Sequence, residues 1–148
     1  MMGHFIAAAL GTVAFALLFD VPERFYLLCA LIGGAGFWLY ELLVTLGLSP
    51  TEATFFAAVA VMLLSRFCAV WRRCPATVFL IAGIIPLVPG AGIYWTAYYL
   101  VVGETAAALE SGFAAIRAAI AIVLGIVVVF ELPNKLFHRT FRRERGQM

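Results

Sequence analysis

The chain has 148 residues, of which 65% are hydrophobic and only 12% charged, for a formal net charge of +2; its mean hydropathy is +1.06. A soluble domain is about half apolar and about a quarter charged, and a chain this short has too little interior to hide the surplus. A soluble fold is therefore excluded, and an all-α polytopic membrane helical bundle is expected, with lipid as the outer solvent.

An apolar run of about 20 residues crosses the bilayer core as a helix, and five such runs follow one another. The first extends from Gly3 to Phe19. It contains Ala14-Phe-Ala16, which has the small-x-small form of a signal-peptidase site, but the charged n-region is missing, so the segment reads as a retained helix. The second, from Phe25 to Leu46, follows a connection containing Arg24. The third runs from Ala53 to Trp71 and leads into Arg72-Arg-Cys-Pro75. Cys29 and Cys68 lie inside apolar runs and read as small packing residues; with Cys74 they show no CxxC spacing, and His4 and His138 stand at opposite ends of the chain. No metal site, disulfide framework or cofactor is expected.

The fourth run, from Ala76 to Val102, is too long for one upright helix and holds Pro86-Leu-Val-Pro89-Gly90-Ala-Gly92 at its middle. Proline removes a backbone donor and clashes with the preceding turn, so the helix should be broken over Pro86–Gly92. Backbone groups freed at membrane depth are tolerated only against protein or a water-filled cavity. Broken helices also recur in secondary transporters, where half-helix ends bind substrate or ions. The candidate substrate-binding residues are accordingly Pro86, Pro89, Gly90 and Gly92, with hydroxyls from Tyr94, Thr96 and Tyr98; a proline kink within a packed bundle is the alternative.

The fifth run extends from Phe113 to Leu132, after a polar connection from Gly103 to Gly112. Beyond it, Lys135, Arg139, Arg142, Arg143 and Arg145 read as a cytoplasmic anchor under the positive-inside rule and not as a nucleic-acid-binding patch. The chain thus divides into a transmembrane unit, 1–134, and a basic tail, 135–148. Arg24, Arg72, Arg73 and the tail share one side, which places the N-terminus outside and the C-terminus in the cytoplasm. Small residues spaced by four, such as Ala7 with Gly11, Ala30 with Gly34, Ala53 with Ala57 and Ala121 with Gly125, suit close helix packing.

Charges within the spans are functional candidates by default. Arg66 can snorkel to the headgroups, and Glu131 can pair with it or cap the tail. Glu41 and Arg117 both lie toward the outer side, where one ion pair between the second and fifth spans would lower both desolvation costs; Glu41 could instead carry a coupling proton. No Ser/His/Asp set, metal cluster or nucleotide loop is present, so an enzyme is not expected.

Two segments carry a family resemblance. Ile85-Pro-Leu-Val-Pro-Gly90 with Ala91-Gly-Ile-Tyr94, and Ala14-Phe-Ala-Leu-Leu-Phe-Asp-Val-Pro22 continuing to Leu28-Cys-Ala-Leu-Ile-Gly-Gly-Ala-Gly36, resemble the threonine/serine exporter family. Within it the chain is similar to the shorter subunit of two-chain members, equivalent to the second half of the fused form. The resemblance implies proton-coupled export of small amino acids across a bacterial cytoplasmic (inner) membrane, or of a small dicarboxylate such as succinate, together with a larger membrane subunit. A non-transporting accessory subunit is the alternative role. Five short helices are too few to enclose a path alone, and self-association of the chain stays open beside that partner.

Overall fold

The computed structural model describes residues 2–132, so the basic tail, His138 and the boundary of the tail at 134/135 lie outside the described residues. Within them the chain is all-helical: α1 (Met2–Leu18), α2 (Tyr26–Thr45), α3 (Pro50–Arg72), α4 (Thr77–Ile84), α5 (Gly90–Val102) and α6 (Thr105–Phe130), with short 3₁₀ turns at Glu23–Phe25 and Ile85–Leu87. The five apolar runs correspond to α1, α2, α3, the pair α4–α5, and α6. By length and apolarity α2 with its leading turn, α3 and α6 each suffice to cross a membrane, and α4–α5 together make a fourth, bent by 46°. The apolar α1 is shorter, at 17 residues.

The connections are short because four of the helices end in the same way. A residue with positive φ follows each helix: Asp20, Gly47, Arg73 and Gly103. The next N–H then reaches back five residues, from Val21 to Ala16 O, Leu48 to Leu43 O, Cys74 to Ala69 O and Glu104 to Tyr99 O. This is the Schellman closure, which satisfies carbonyls left over at a helix end and reverses the chain within two or three residues.

One boundary differs from the sequence expectation. The polar stretch after Gly103 is not a ten-residue connection, because α6 already starts at Thr105. Thr105-Ala-Ala-Ala-Leu-Glu110 is polar enough to leave the hydrocarbon, yet its alanines, leucine and glutamate are strong helix formers. The helix therefore extends beyond its apolar part.

Helices α1 to α4 and α6 share a core that includes Ala16, Phe25, Cys29, Ile32, Val61, Phe79 and Ile122. Phe25 and Phe79 meet edge to face at 5.3 Å. The buried hydroxyls are satisfied inside their own helices: Thr12 donates to Ala8 O, Thr54 to Pro50 O and Ser65 to Val61 O. Large apolar side chains such as Leu10, Leu27, Phe67, Val101 and Val123 remain exposed, the pattern of helices that face lipid. By contrast α5 buries no residue at all and rests mainly on α6.

Candidate functional site

The fourth span breaks where the prolines dictate. After α4 the 3₁₀ turn takes in Pro86, and Val88 is extended (φ −63°, ψ 130°) as a residue preceding proline should be. Pro89 (φ −76°, ψ 52°) is the centre of an inverse γ-turn, closed by Gly90 N–H donating to Val88 O at 2.7 Å. Helix α5 then begins, its first i→i−4 bond running from Ile93 N–H to Pro89 O. The N–H groups of Ala91 and Gly92 precede that bond and have no intrahelical acceptor.

This break opens onto a cavity of about 700 Å³. Pro86 to Ala91 form one wall, Phe37 and Tyr40 of α2 another, Ser49 to Glu52 and Thr54 at the start of α3 a third, and Ala114, Arg117 and Ala118 of α6 the fourth. The α3 wall is rigid for a local reason. Ser49 and Glu52 form a reciprocal capping box, with Pro50 at the first helical position. Glu52 Oε2 accepts from Ser49 N–H at 2.9 Å and from Ser49 Oγ at 2.8 Å, while Ser49 Oγ accepts from Glu52 N–H at 3.3 Å. Both side chains that carry formal charge in this lining, Glu52 and Arg117, also border a second groove of about 460 Å³ between α3 and α6.

Of the residues singled out from sequence, Pro86, Pro89, Gly90 and Arg117 come together at the cavity. Gly92, Tyr94 and Thr96 stand elsewhere. Gly92 lets α5 close on α6, since a Cβ there would meet Ala115 Cβ at 3.1 Å. Thr96 donates its hydroxyl to Gly92 O at 2.7 Å. Tyr94 is 62% exposed and stacks edge-on against Trp95. Tyr98 also joins that aromatic cluster.

The expected Glu41–Arg117 pair is not formed. Glu41 reaches across to α1, where its Oε1 is hydrogen-bonded to His4 Nδ1, and its buried Oε2 has no partner. Glu41 is turned toward α1 and Arg117 toward the cavity between α3 and the broken span, a difference that span boundaries alone do not reveal. Arg66 ties α3 to the end of α6: its Nη1 donates to Val129 O in the last turn and to Leu132 O just beyond the helix. No ion pair or hydrogen bond joins Arg117 to another described residue.

Sequence reasoning passed over Tyr40, Ser49, Thr51, Glu52 and Thr54. A signal for the α3 wall was present, because Ser49-Pro-Thr-Glu52 has the S-x-x-E form of a capping box. Nothing in the sequence says that this helix start adjoins the broken span. Among the described residues no group of His, Cys, Asp and Glu could hold a metal ion.

The profile of the family described as "Threonine/Serine exporter, ThrE" matches residues 4–131, a range that takes in all six helices but for the first two residues of α1, and the whole cavity lining. No solved structure matches the chain.

Proposed function

Since the chain belongs to the threonine/serine exporter family and is a multi-pass membrane transporter, we propose that its cavity at the broken fourth span holds the carboxylate end of a small exported substrate. The observation that carries this reading is Arg117. It is a cation about one turn inside the apolar part of α6, it lines a cavity, and it forms no ion pair with a described residue. Charge at such depth is costly unless paired, and a substrate carboxylate supplies the missing anion with charge-assisted hydrogen bonds. The start of α5 beside it contributes free N–H groups, which favour an anion at a helix N-terminus.

Threonine- and serine-like amino acids are the first candidates for substrate, and a small dicarboxylate such as succinate is the second. In this reading the chain is one half of a secondary transporter in a bacterial inner membrane, with its N-terminus outside and its C-terminus in the cytoplasm. A larger subunit of the same family completes the path. Support for the missing half comes from the cavity, which is walled by only four elements, and from α5, none of whose residues is fully buried by its own chain.

The test is export from cells carrying Arg117→Gln. Losing charge-assisted hydrogen bonds of about 1.5–3 kcal/mol weakens the substrate roughly ten- to a hundredfold, at unchanged protein abundance in the membrane. Normal export by Arg117→Gln, Pro89→Ala and Gly90→Ala alike would instead make the chain an accessory subunit that stabilises a transporting partner.

A further inference from the structure

The cavity carries two opposite formal charges on facing helices, Arg117 on α6 and Glu52 on α3, and the two are not joined in an ion pair. Glu52 is held in place by its cap: Oε2 takes both hydrogen bonds from Ser49, and Oε1 has no hydrogen-bond partner among the described residues. A fixed carboxylate with one unused oxygen, lining the same cavity as an unpaired guanidinium, is complementary to a ligand bearing an ammonium and a carboxylate. A dicarboxylate would satisfy Arg117 and bring its second negative charge toward the exposed Glu52 carboxylate, and like charges at close range repel.

Resting on the carboxylate reading of Arg117, we propose that Glu52 is the specificity-determining residue of the cavity, accepting a hydrogen bond from the substrate ammonium and so selecting zwitterionic amino acids over dicarboxylates. Ser49 is then a positioning residue, which aims the carboxylate without touching substrate. The capping box serves two purposes: it starts α3, and it fixes the rotamer of the selecting group.

The geometry supplies a clean variant. Glutamine also serves at the third position of a capping box, so Glu52→Gln removes the charge while keeping the helix start. The experiment compares inverted membrane vesicles from the native host, carrying wild-type or variant chain, for uptake of labelled L-serine, 3-hydroxypropanoate and succinate. The second probe has serine's hydroxyl and carboxylate but no ammonium.

In Glu52→Gln, half-saturation for L-serine should rise at least about tenfold, the scale of one charged hydrogen bond. The value for 3-hydroxypropanoate should hold or fall, and succinate should gain. Ser49→Ala, which keeps the charge but frees its position, should weaken L-serine alone, and it provides an independent reading if Glu52→Gln fails to accumulate. Equal effects of Glu52→Gln on all three probes, or no effect on L-serine, overturn the proposal for Glu52 and leave Arg117 standing. Insensitivity of all three probes to Arg117→Gln overturns the underlying site.

Discussion

Gly125 of α6 rests directly on Ala58 of α3: a methyl group built on Gly125 would lie 2.9 Å from Ala58 Cβ and 2.9 Å from the carbonyl oxygen of Phe55. Backbone is on the other side of this contact, so no side chain can turn away to make room. Gly125→Ala should therefore push α3 and α6 apart and cost about 1–3 kcal/mol, the usual penalty of overpacking. Thermal unfolding of the purified protein in detergent measures it. Gly11→Ala is the comparison, because nothing lies within 4 Å of a Cβ there; it should be neutral or stabilising by up to about 1 kcal/mol from helix propensity. Equal melting of both variants would mean that α3 and α6 are not in close contact.

The 46° bend between α4 and α5 depends on Pro89, the centre of the γ-turn. Proline within a helix is disfavoured by about 3 kcal/mol relative to alanine, so Pro89→Ala removes one of the two prolines that resist a continuous helix and leaves Pro86. We expect a smaller bend, read as a lengthened spin-label distance from α4 to α5, with export reduced and abundance in the membrane retained. An unaltered distance with full export would assign the bend to packing of α5 on α6.

Arg66 closes the far end of α6. Its guanidinium gives hydrogen bonds to the carbonyls of Val129 and Leu132, adding to the one backbone bond that Val129 O accepts from Leu132 N–H. Arg66→Met keeps an unbranched apolar stem and removes the donors. The variant should lose about 1–3 kcal/mol and show faster hydrogen exchange over the last turn of α6, with α1 and α2 unchanged. Exchange spread evenly over the bundle would contradict so local a role.

Cys74 sits in the connection between α3 and α4, where burial pushes its thiol above the ordinary cysteine range, against the opposing pull of Arg24 and Arg72. The thiolate is the reactive form, and raising the pKa lowers its fraction at any pH below that pKa. Maleimide labelling at neutral pH should thus be slower than for a free exposed cysteine, and it should rise about tenfold per pH unit into the alkaline range. Rapid labelling at pH 7 would place Cys74 in a more open, more cationic setting.

The sequence makes the span pattern readable because apolar length is a one-dimensional property. Gly3–Phe19 and α1 nearly coincide, and the Pro86–Gly92 break falls where two prolines forbid a continuous ladder. The start of α6 was misplaced because polarity marks where a segment leaves lipid, whereas Thr105–Gly112 stays helical on propensity. Side-chain partnership was the least legible. Glu41 was matched with Arg117 by depth, but the rotation of α2 about its own axis turns it to His4. The same limit hid Glu52: its cap is written locally in Ser49-Pro-Thr-Glu52, while its place opposite Arg117 arises only when α3 and α6 meet through Ala58 and Gly125. Of the four spaced small-residue pairs, Ala53 with Ala57 is fully buried in the structure and Ala121 with Gly125 forms the α3 contact, whereas Gly11 faces open space.

The dependence of α5 on α6 bears on the order in which the protein is made. A nascent chain delivers α5 to the bilayer before the helix that supports it has left the ribosome, and the two-residue reversal at Gly103–Glu104 brings that support back at once. Until α6 arrives, the second half of the fourth span lacks its main packing neighbour, so the cavity at the break, one wall of which α6 supplies, is complete only once α6 has been made.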